Sequence, residues 1–231
     1  ESGHTNTAVT IQQTLKSAFK ELEQRHQNRG QMTGIPSGFT DIDELTAGFQ
    51  DGNFILLGGR PGSGKTSLVT NIVENVCKAG EKVLFFSLEM SSQELMNRLI
   101  SGVGRVDSGR IRSGNFIDSD WPKMSHAAGV INQWNLEIDD NPYQTILDIR
   151  AAARRHKRSA GGLKLIVIDY LQLMRVHAKS QSREQDISNI SREFKLLAKE
   201  LKIPVIVLAQ INRGVESREN KRPRCSDLRE S

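Results

Sequence analysis

A chain of 231 residues, 37% hydrophobic and 26% charged, has the composition of a globular protein with room for one large α/β domain and an appendage, which excludes a disordered tail. A net charge of +5 permits contact with a polyanion without establishing it. The two cysteines, Cys77 and Cys225, lie far apart with no Cys-x-x-Cys partner, so neither a disulfide framework nor a zinc site is indicated. No apolar run approaches the ~18 residues of a membrane span, and Glu1 to Asn6 lack the basic and apolar regions of a signal peptide, so a soluble cytoplasmic protein is expected.

The first segment places Ala8, Ile11, Leu15, Ala18 and Leu22 at three- and four-residue spacing, with Lys16, Lys20, Glu21 and Glu23 elsewhere on the wheel. That spacing predicts an amphipathic helix in a linker over residues 1–32. The polar stretch Arg25 to Gln31 and the breakers in Thr33-Gly34-Ile35-Pro36-Ser37-Gly38 set it apart from a domain over 33–231. Its apolar stripe either folds back on its own domain or docks on another subunit.

From Phe54 onward, short apolar runs alternate with longer helical stretches. Strands are predicted at Phe54–Leu57, Val83–Phe86, Leu136–Ile138, Leu163–Ile168 and Val205–Leu208, and helices at Thr66–Lys78, Gln93–Ser101, Thr145–Arg158 and Ile187–Leu201. This alternation specifies an α/β fold with a mostly parallel sheet and crossover helices.

The first strand runs into Gly59-Arg60-Pro61-Gly62-Ser63-Gly64-Lys65-Thr66, a complete P-loop, with Ser67 next in the helix that follows. The glycines let backbone N–H groups turn toward phosphate oxygens, and the helix start adds its positive dipole end. Lys65 can reach the β- and γ-phosphates and Thr66 can hold Mg²⁺, so ATP and Mg²⁺ are the expected ligands. The run Leu165-Ile166-Val167-Ile168 ends in Asp169, a Walker B carboxylate expected beside the P-loop as a second Mg²⁺ ligand. Glu89, after Val83 to Leu88, reaches the same sheet edge as candidate for polarising the attacking water, the bland alternative being a charge near the N-terminus of the next helix. Gln210 ends the last strand, either as a neutral sensor of the γ-phosphate or as an ordinary polar strand terminus.

Thr33 to Phe39, the P-loop opening Arg60-Pro61, Phe86-Ser87-Leu88-Glu89-Met90, Ile168-Asp169-Tyr170-Leu171-Gln172-Leu173-Met174 and Arg222 to Ser231 follow in order. Together they closely resemble the DnaB-type replicative helicases, in their C-terminal RecA-like motor domain. The resemblance implies a homohexameric ring that encircles one DNA strand, takes ATP at subunit interfaces and moves 5′ to 3′ at a bacterial, phage or organellar replication fork. It implies primase and a helicase loader as partners, and the linker helix on a neighbouring subunit. It gives Lys65, Glu89 and Gln210 catalytic roles, Thr66 and Asp169 the metal, and Arg229 and Glu230 a place at strand-binding loops.

The residues themselves make this end locally basic, with Arg213, Arg218, Lys221, Arg222, Arg224 and Arg229 suited either to phosphate contacts or to a solvated tail. The family carries an N-terminal helical domain and a motor continuing past Ser231, so the chain is read as a fragment apparently truncated at its C-terminal end. A recombination or repair ATPase of the RecA-like class, or a non-motor ATP-binding assembly module, are the alternatives. Glu89 argues against the last, because a pure switch needs no water-activating carboxylate.

Overall fold

The structure, a computed structural model, describes residues 10–27, 32–159, 161–171, 174, 183–212, 215, 218, 220, 222–224 and 227. These fall into two compact units, Glu1–Thr33 and Gly34–Ser231. In the first, α1 (Ile11–Gln27) carries exposed Ile11, Leu15, Phe19 and Leu22. Their i, i+4, i+8 and i+11 spacing puts them along one side of the helix. Among the described residues no helix is long and apolar enough to cross a membrane.

The second unit is built on five parallel strands, β1 (Phe54–Gly59), β2 (Lys82–Ser87), β3 (Leu136–Asp139), β4 (Leu163–Asp169) and β5 (Val205–Gln210), in the order β1-β5-β4-β2-β3. Each predicted strand is present, and each extends at its carboxyl end past the apolar run by one or two residues, to the polar or glycine residue that begins the next turn.

Alternation along the strands sorts the core into two layers. Leu84, Phe86, Ile166, Ile168, Val205 and Val207 face α7 (Ile146–Arg158) and α8 (Arg183–Leu201), whereas Val83, Phe85, Leu165, Val167, Ile206 and Leu208 face α3 (Lys65–Lys78) and Leu95 of α4 (Ser92–Gly104). β4, in the middle of the sheet, is apolar on both faces and buried from Leu165 to Asp169. Each of its fully buried aliphatic side chains contributes about 1.5–3 kcal/mol.

Three helices lie outside the predicted set: α2 (Thr40–Thr46), α5 (Ser108–Ser113) and α6 (Asp120–Ile131). α5 buries no residue and α6 only Asp120, Ala127 and Ile131, so neither shows a strong apolar stripe in sequence. Both pack on α4.

α2 serves a fastening role. Its buried Asp43 accepts hydrogen bonds from the backbone N–H groups of Ser37 (2.8 Å) and Gly38 (3.0 Å), and Asn75 of α3 donates to the Ser37 carbonyl at 2.9 Å. The segment after Gly34 is thereby tied to the P-loop helix.

Candidate active site

The parallel sheet brings every strand's carboxyl end to one edge, and register fixes which residues meet there. Gly59 of β1 pairs with Gln210 of β5, and Ser87 of β2 with Asp169 of β4. β5 stands between the P-loop strand and the Walker B strand, so Asp169 is not the direct strand neighbour of the P-loop that the sequence suggests. The first turn of α3 closes that gap: the Thr66 hydroxyl donates to Asp169 Oδ2 at 2.9 Å, across 103 residues of chain.

The loop from Arg60 to Gly64 joins β1 to α3. Gly62 and Gly64 have φ of +71° and +89°, and a Cβ at either would meet open space, so the loop leaves an uncrowded backbone surface where side chains are least compatible with the turn. Pro61, Gly62, Ser63 and Gly64 are exposed, and Ser63 donates its N–H to the Arg60 carbonyl. Lys65 Nζ donates to the carbonyls of Gly59 and Arg60, both at 2.9 Å, which holds the ammonium against the loop's own backbone. Ser67 is exposed, and its carbonyl accepts from Thr70 Oγ1.

Asp169 is 2% exposed. Burial pushes its carboxyl above the usual carboxylate range. The Thr66 hydroxyl opposes that shift, the negative charge of Glu89 adds to it, and Lys65 and Arg98 pull against it. Two hard oxygen donors 2.9 Å apart, on Thr66 and Asp169, are the donor set Mg²⁺ takes from a protein when phosphates and water complete its octahedron. An open glycine loop beside a lysine fits a polyphosphate. The residues present therefore fit ATP and Mg²⁺.

Glu89 is exposed on the turn between β2 and α4, and among the described residues no hydrogen bond or ion pair reaches its carboxylate. Ser91 caps α4 in a reciprocal capping box with Glu94, so both features weighed from sequence coexist: a carboxylate at the sheet edge and a capped helix just after it. Gln210 is half-buried at the end of β5.

Arg224 is exposed, with its backbone N–H donating to Asp227 Oδ2 at 2.6 Å. Arg218 pairs with Asp227 on its other oxygen, and the Asn212 N–H donates to the Asp227 carbonyl, which fastens part of the basic end to the residues after β5. Arg229 and Glu230 lie outside the described residues.

Three side chains at this edge are absent from the sequence reading. Arg98 of α4 acts on Asp169 electrostatically. Ser87 Oγ donates to the Met90 carbonyl at 2.6 Å, and Asp140, just after β3, accepts from the Ser92 N–H at 2.7 Å. Ser87 could have been found two residues before Glu89; nothing local in the sequence points Asp140 across 48 residues to Ser92.

This geometry recurs in proteins of known class. Residues 34–231 match the family model described as DnaB-like helicase C terminal domain. The chain is 43% identical over 230 residues to the replicative DNA helicase DnaC of Bacillus subtilis, covering 99% of this chain and 50% of that protein. It is 45% identical over 222 residues to the replicative DNA helicase DnaB of Haemophilus influenzae, covering 94% and 47%. The chain thus spans about half the length of the curated relatives it matches.

Among solved structures it is similar to an isolated ATPase domain, with a TM-score of 0.90, 38% identity and coverage of 97% of this chain and 79% of that one. A DnaB-like replicative helicase described with its interactions with primase gives a TM-score of 0.87, 38% identity and coverage of 100% and 55%. Likeness at that level over the whole sheet makes the fold RecA-like. With the family model running unbroken from the Asp43 fastening through the P-loop and Walker B strands, the chain belongs to the DnaB-like helicase C-terminal domain family.

Proposed function

We propose that this chain is the ATP-driven motor of a replicative DNA helicase, which as a homohexameric ring translocates 5′ to 3′ on single-stranded DNA and opens the duplex at the fork. The observation that carries the reading is the hydrogen bond from Thr66 to buried Asp169, beside an open glycine loop and an unpaired Glu89. Family membership supplies the DNA and the ring.

In this reading Gly59 to Ser67 form the nucleotide cradle. Lys65 leaves the carbonyls of Gly59 and Arg60 for the β- and γ-phosphates, exchanging two neutral acceptors for charged ones. Thr66 and Asp169 hold Mg²⁺, which when bound neutralises charge developing on the phosphates. Glu89 accepts the proton of the attacking water, and exposure leaves it free to reach that water. Gln210 turns toward the γ-phosphate as a neutral sensor. Arg224, Arg229 and Glu230 sit at the strand-binding surface. The exposed stripe of α1 docks on a neighbouring subunit, and primase and a loader are partners of the whole protein.

The test is ATP turnover in the full-length protein with and without single-stranded DNA. Glu89→Gln should keep ATP bound and lose about 10²- to 10⁴-fold in turnover, whereas Lys65→Ala should lose tight nucleotide binding itself. Parental hydrolysis by Glu89→Gln would sink the assignment of Glu89, and turnover indifferent to DNA would sink the motor.

A further inference from the structure

The Glu89 carboxylate receives no hydrogen bond among the described residues, so the backbone of the turn that carries it sets its direction. That turn is pinned at three points. On one side the N–H of buried Leu88 donates to the Asp169 carbonyl at 2.7 Å, tying the turn to β4. Within it, Ser87 Oγ donates to the Met90 carbonyl at 2.6 Å. On the far side the Ser92 N–H donates to Asp140 Oδ2 at 2.7 Å.

Ser92 is the first residue of α4, and its N–H is one of the donors a helix cannot satisfy for itself. The capping box of Ser91 and Glu94 uses the N–H of Glu94 and leaves that of Ser92 to Asp140. Asp140 in turn stands on a stiff base. Asp139 pairs with Phe86 in the β2–β3 register, Asp139 Oδ1 accepts from the Asn141 N–H, and Asn141 Oδ1 accepts from the Tyr143 N–H. Two residues on, Thr145 opens α7 with its own capping box to Asp148.

We propose that Asp140 is a positioning residue for Glu89: by holding the Ser92 N–H it fixes the turn from Ser87 to Ser92, and through it the aim of the catalytic carboxylate, while touching neither nucleotide nor metal. The inference rests on the assignment of Glu89 under the proposed function. Ser87 works on the same turn from the inside. Asp140 is exposed, so water can take over the Ser92 N–H when the carboxylate is removed. The fold should therefore survive a change that loosens the turn. A loosened catalytic group is costly out of proportion, because a displacement of about 1 Å can lower a rate by about 10²-fold.

The experiment uses the full-length protein and four variants: Asp140→Ala, Asp140→Asn, Glu89→Gln and the double variant Glu89→Gln/Asp140→Ala. It measures the ATP dissociation constant and the single-turnover rate of hydrolysis. Asp140→Ala should slow hydrolysis by about 10- to 100-fold with ATP affinity unchanged within about twofold. Asp140→Asn should recover most of that loss, since its amide oxygen still accepts from Ser92. The double variant should be no slower than Glu89→Gln alone, because the residue being aimed is already disabled.

Parental hydrolysis in Asp140→Ala overturns the proposal. So does an equal slowing in the parental and Glu89→Gln backgrounds, a parallel loss of ATP affinity, or Asp140→Asn as slow as Asp140→Ala. Should Asp140→Ala fail to fold, Ser87→Ala takes its place in the rate, affinity and double-variant measurements with the same expectations. Glu89→Gln hydrolysing at the parental rate would instead refute the assignment of Glu89, and is read independently of Asp140.

Discussion

The two edges of one sheet treat charge in opposite ways. At the amino edge, Lys82 at the start of β2 donates to Glu137 of β3 at 2.7 Å and to Ser159 Oγ at 3.1 Å, while His156 Nδ1 lies 3.1 Å from the same Glu137 oxygen. The Lys82 hydrogen bond, with His156 adding to it against a small cost of burial, holds the Glu137 carboxyl below the usual carboxylate range. Charges there are spent on one another. At the carboxyl edge, a buried aspartate has a threonine hydroxyl as its hydrogen-bond donor and a like-charged glutamate nearby, and burial drives its carboxyl the other way. An edge whose charges the chain itself leaves undercompensated is built for something the chain does not contain.

The sharpest way to break that contrast is Asp169→Asn. The amide oxygen can still accept from Thr66, but the charge for a cation is gone, so ATP turnover should fall more than about 100-fold. The nucleotide-free protein should become more stable, by about 1 kcal/mol or a rise of about 2–4 °C in Tm, because a buried charge beside Glu89 has been removed. The sign in pH follows from the raised carboxyl. Between the ordinary aspartate value of 3.8 and the higher value in the fold, the native state binds more protons, so parental stability declines as pH rises through that window. The advantage of the variant should be present at neutral pH and fade toward pH 3.8. Thermal denaturation across pH without nucleotide checks this, and a variant less stable than the parent at neutral pH would mean the Asp169 charge is already compensated by its own chain.

Both edges differ also in how far the sequence reveals them. The strands are legible because a parallel strand buried on two faces must be a continuous apolar run, as Leu165 to Ile168 is, and the P-loop is legible because its chemistry sits in eight consecutive residues. Lys65, Thr66, Glu89, Asp169 and Gln210 could be assigned to one edge simply because each follows a strand. The strand order could not be read, since nothing local says that β5, last in the chain, inserts between β1 and β4.

The same limit hides the Asp140–Ser92 and Asp43–Ser37 contacts. A carboxylate that caps a distant N–H has no spacing rule to betray it. The short helices α2, α5 and α6 escape for a different reason: tertiary packing on α4, or a single buried aspartate, stabilises them where periodicity is too brief to register.

A smaller effect sharpens the contrast within the basic end. Arg218 is spent on Asp227, whose carboxyl is held below the usual range first by the Arg224 N–H and then by Arg218, whereas the exposed Arg224 binds Asp227 through its backbone. The proposed surface therefore has Arg224 to offer a phosphate and not Arg218. Arg224→Ala in the full-length protein should weaken single-stranded DNA binding about equally for all sequences. It should also reduce the slope of log affinity against log salt by about 0.7, one phosphate's worth of counterion release. Binding titrations at several salt concentrations give both numbers. An unchanged slope would return Arg224 to the solvated tail.

The smallest effect is expected where charges are most fully spent. Between α7 and α8, Arg154 Nε donates to Glu200 at 2.6 Å, and Arg150 donates to it at 3.0 Å through Nε and 2.5 Å through a terminal nitrogen. The Arg154 hydrogen bond, then Arg150, hold the Glu200 carboxyl below the usual glutamate value of 4.5. The side chains of Glu200 and Arg154 are 29% and 44% exposed, so screening by solvent discounts the network to about 0.5–1 kcal/mol. A lowered carboxyl contributes stability that is present above pH 4.5 and lost as pH falls through its value in the fold. Glu200→Gln should then cost that amount at neutral pH, less in high salt, and nothing once acid has protonated the parental carboxylate. Urea unfolding at neutral and acid pH measures the gap. ATP turnover per bound nucleotide should stay at the parental level, since the network lies on helices away from the Lys65–Asp169 edge. A variant that folds normally yet turns over slowly would show that charges the chain has paired with one another can still serve catalysis, and the division between the two edges would fail at its paired end.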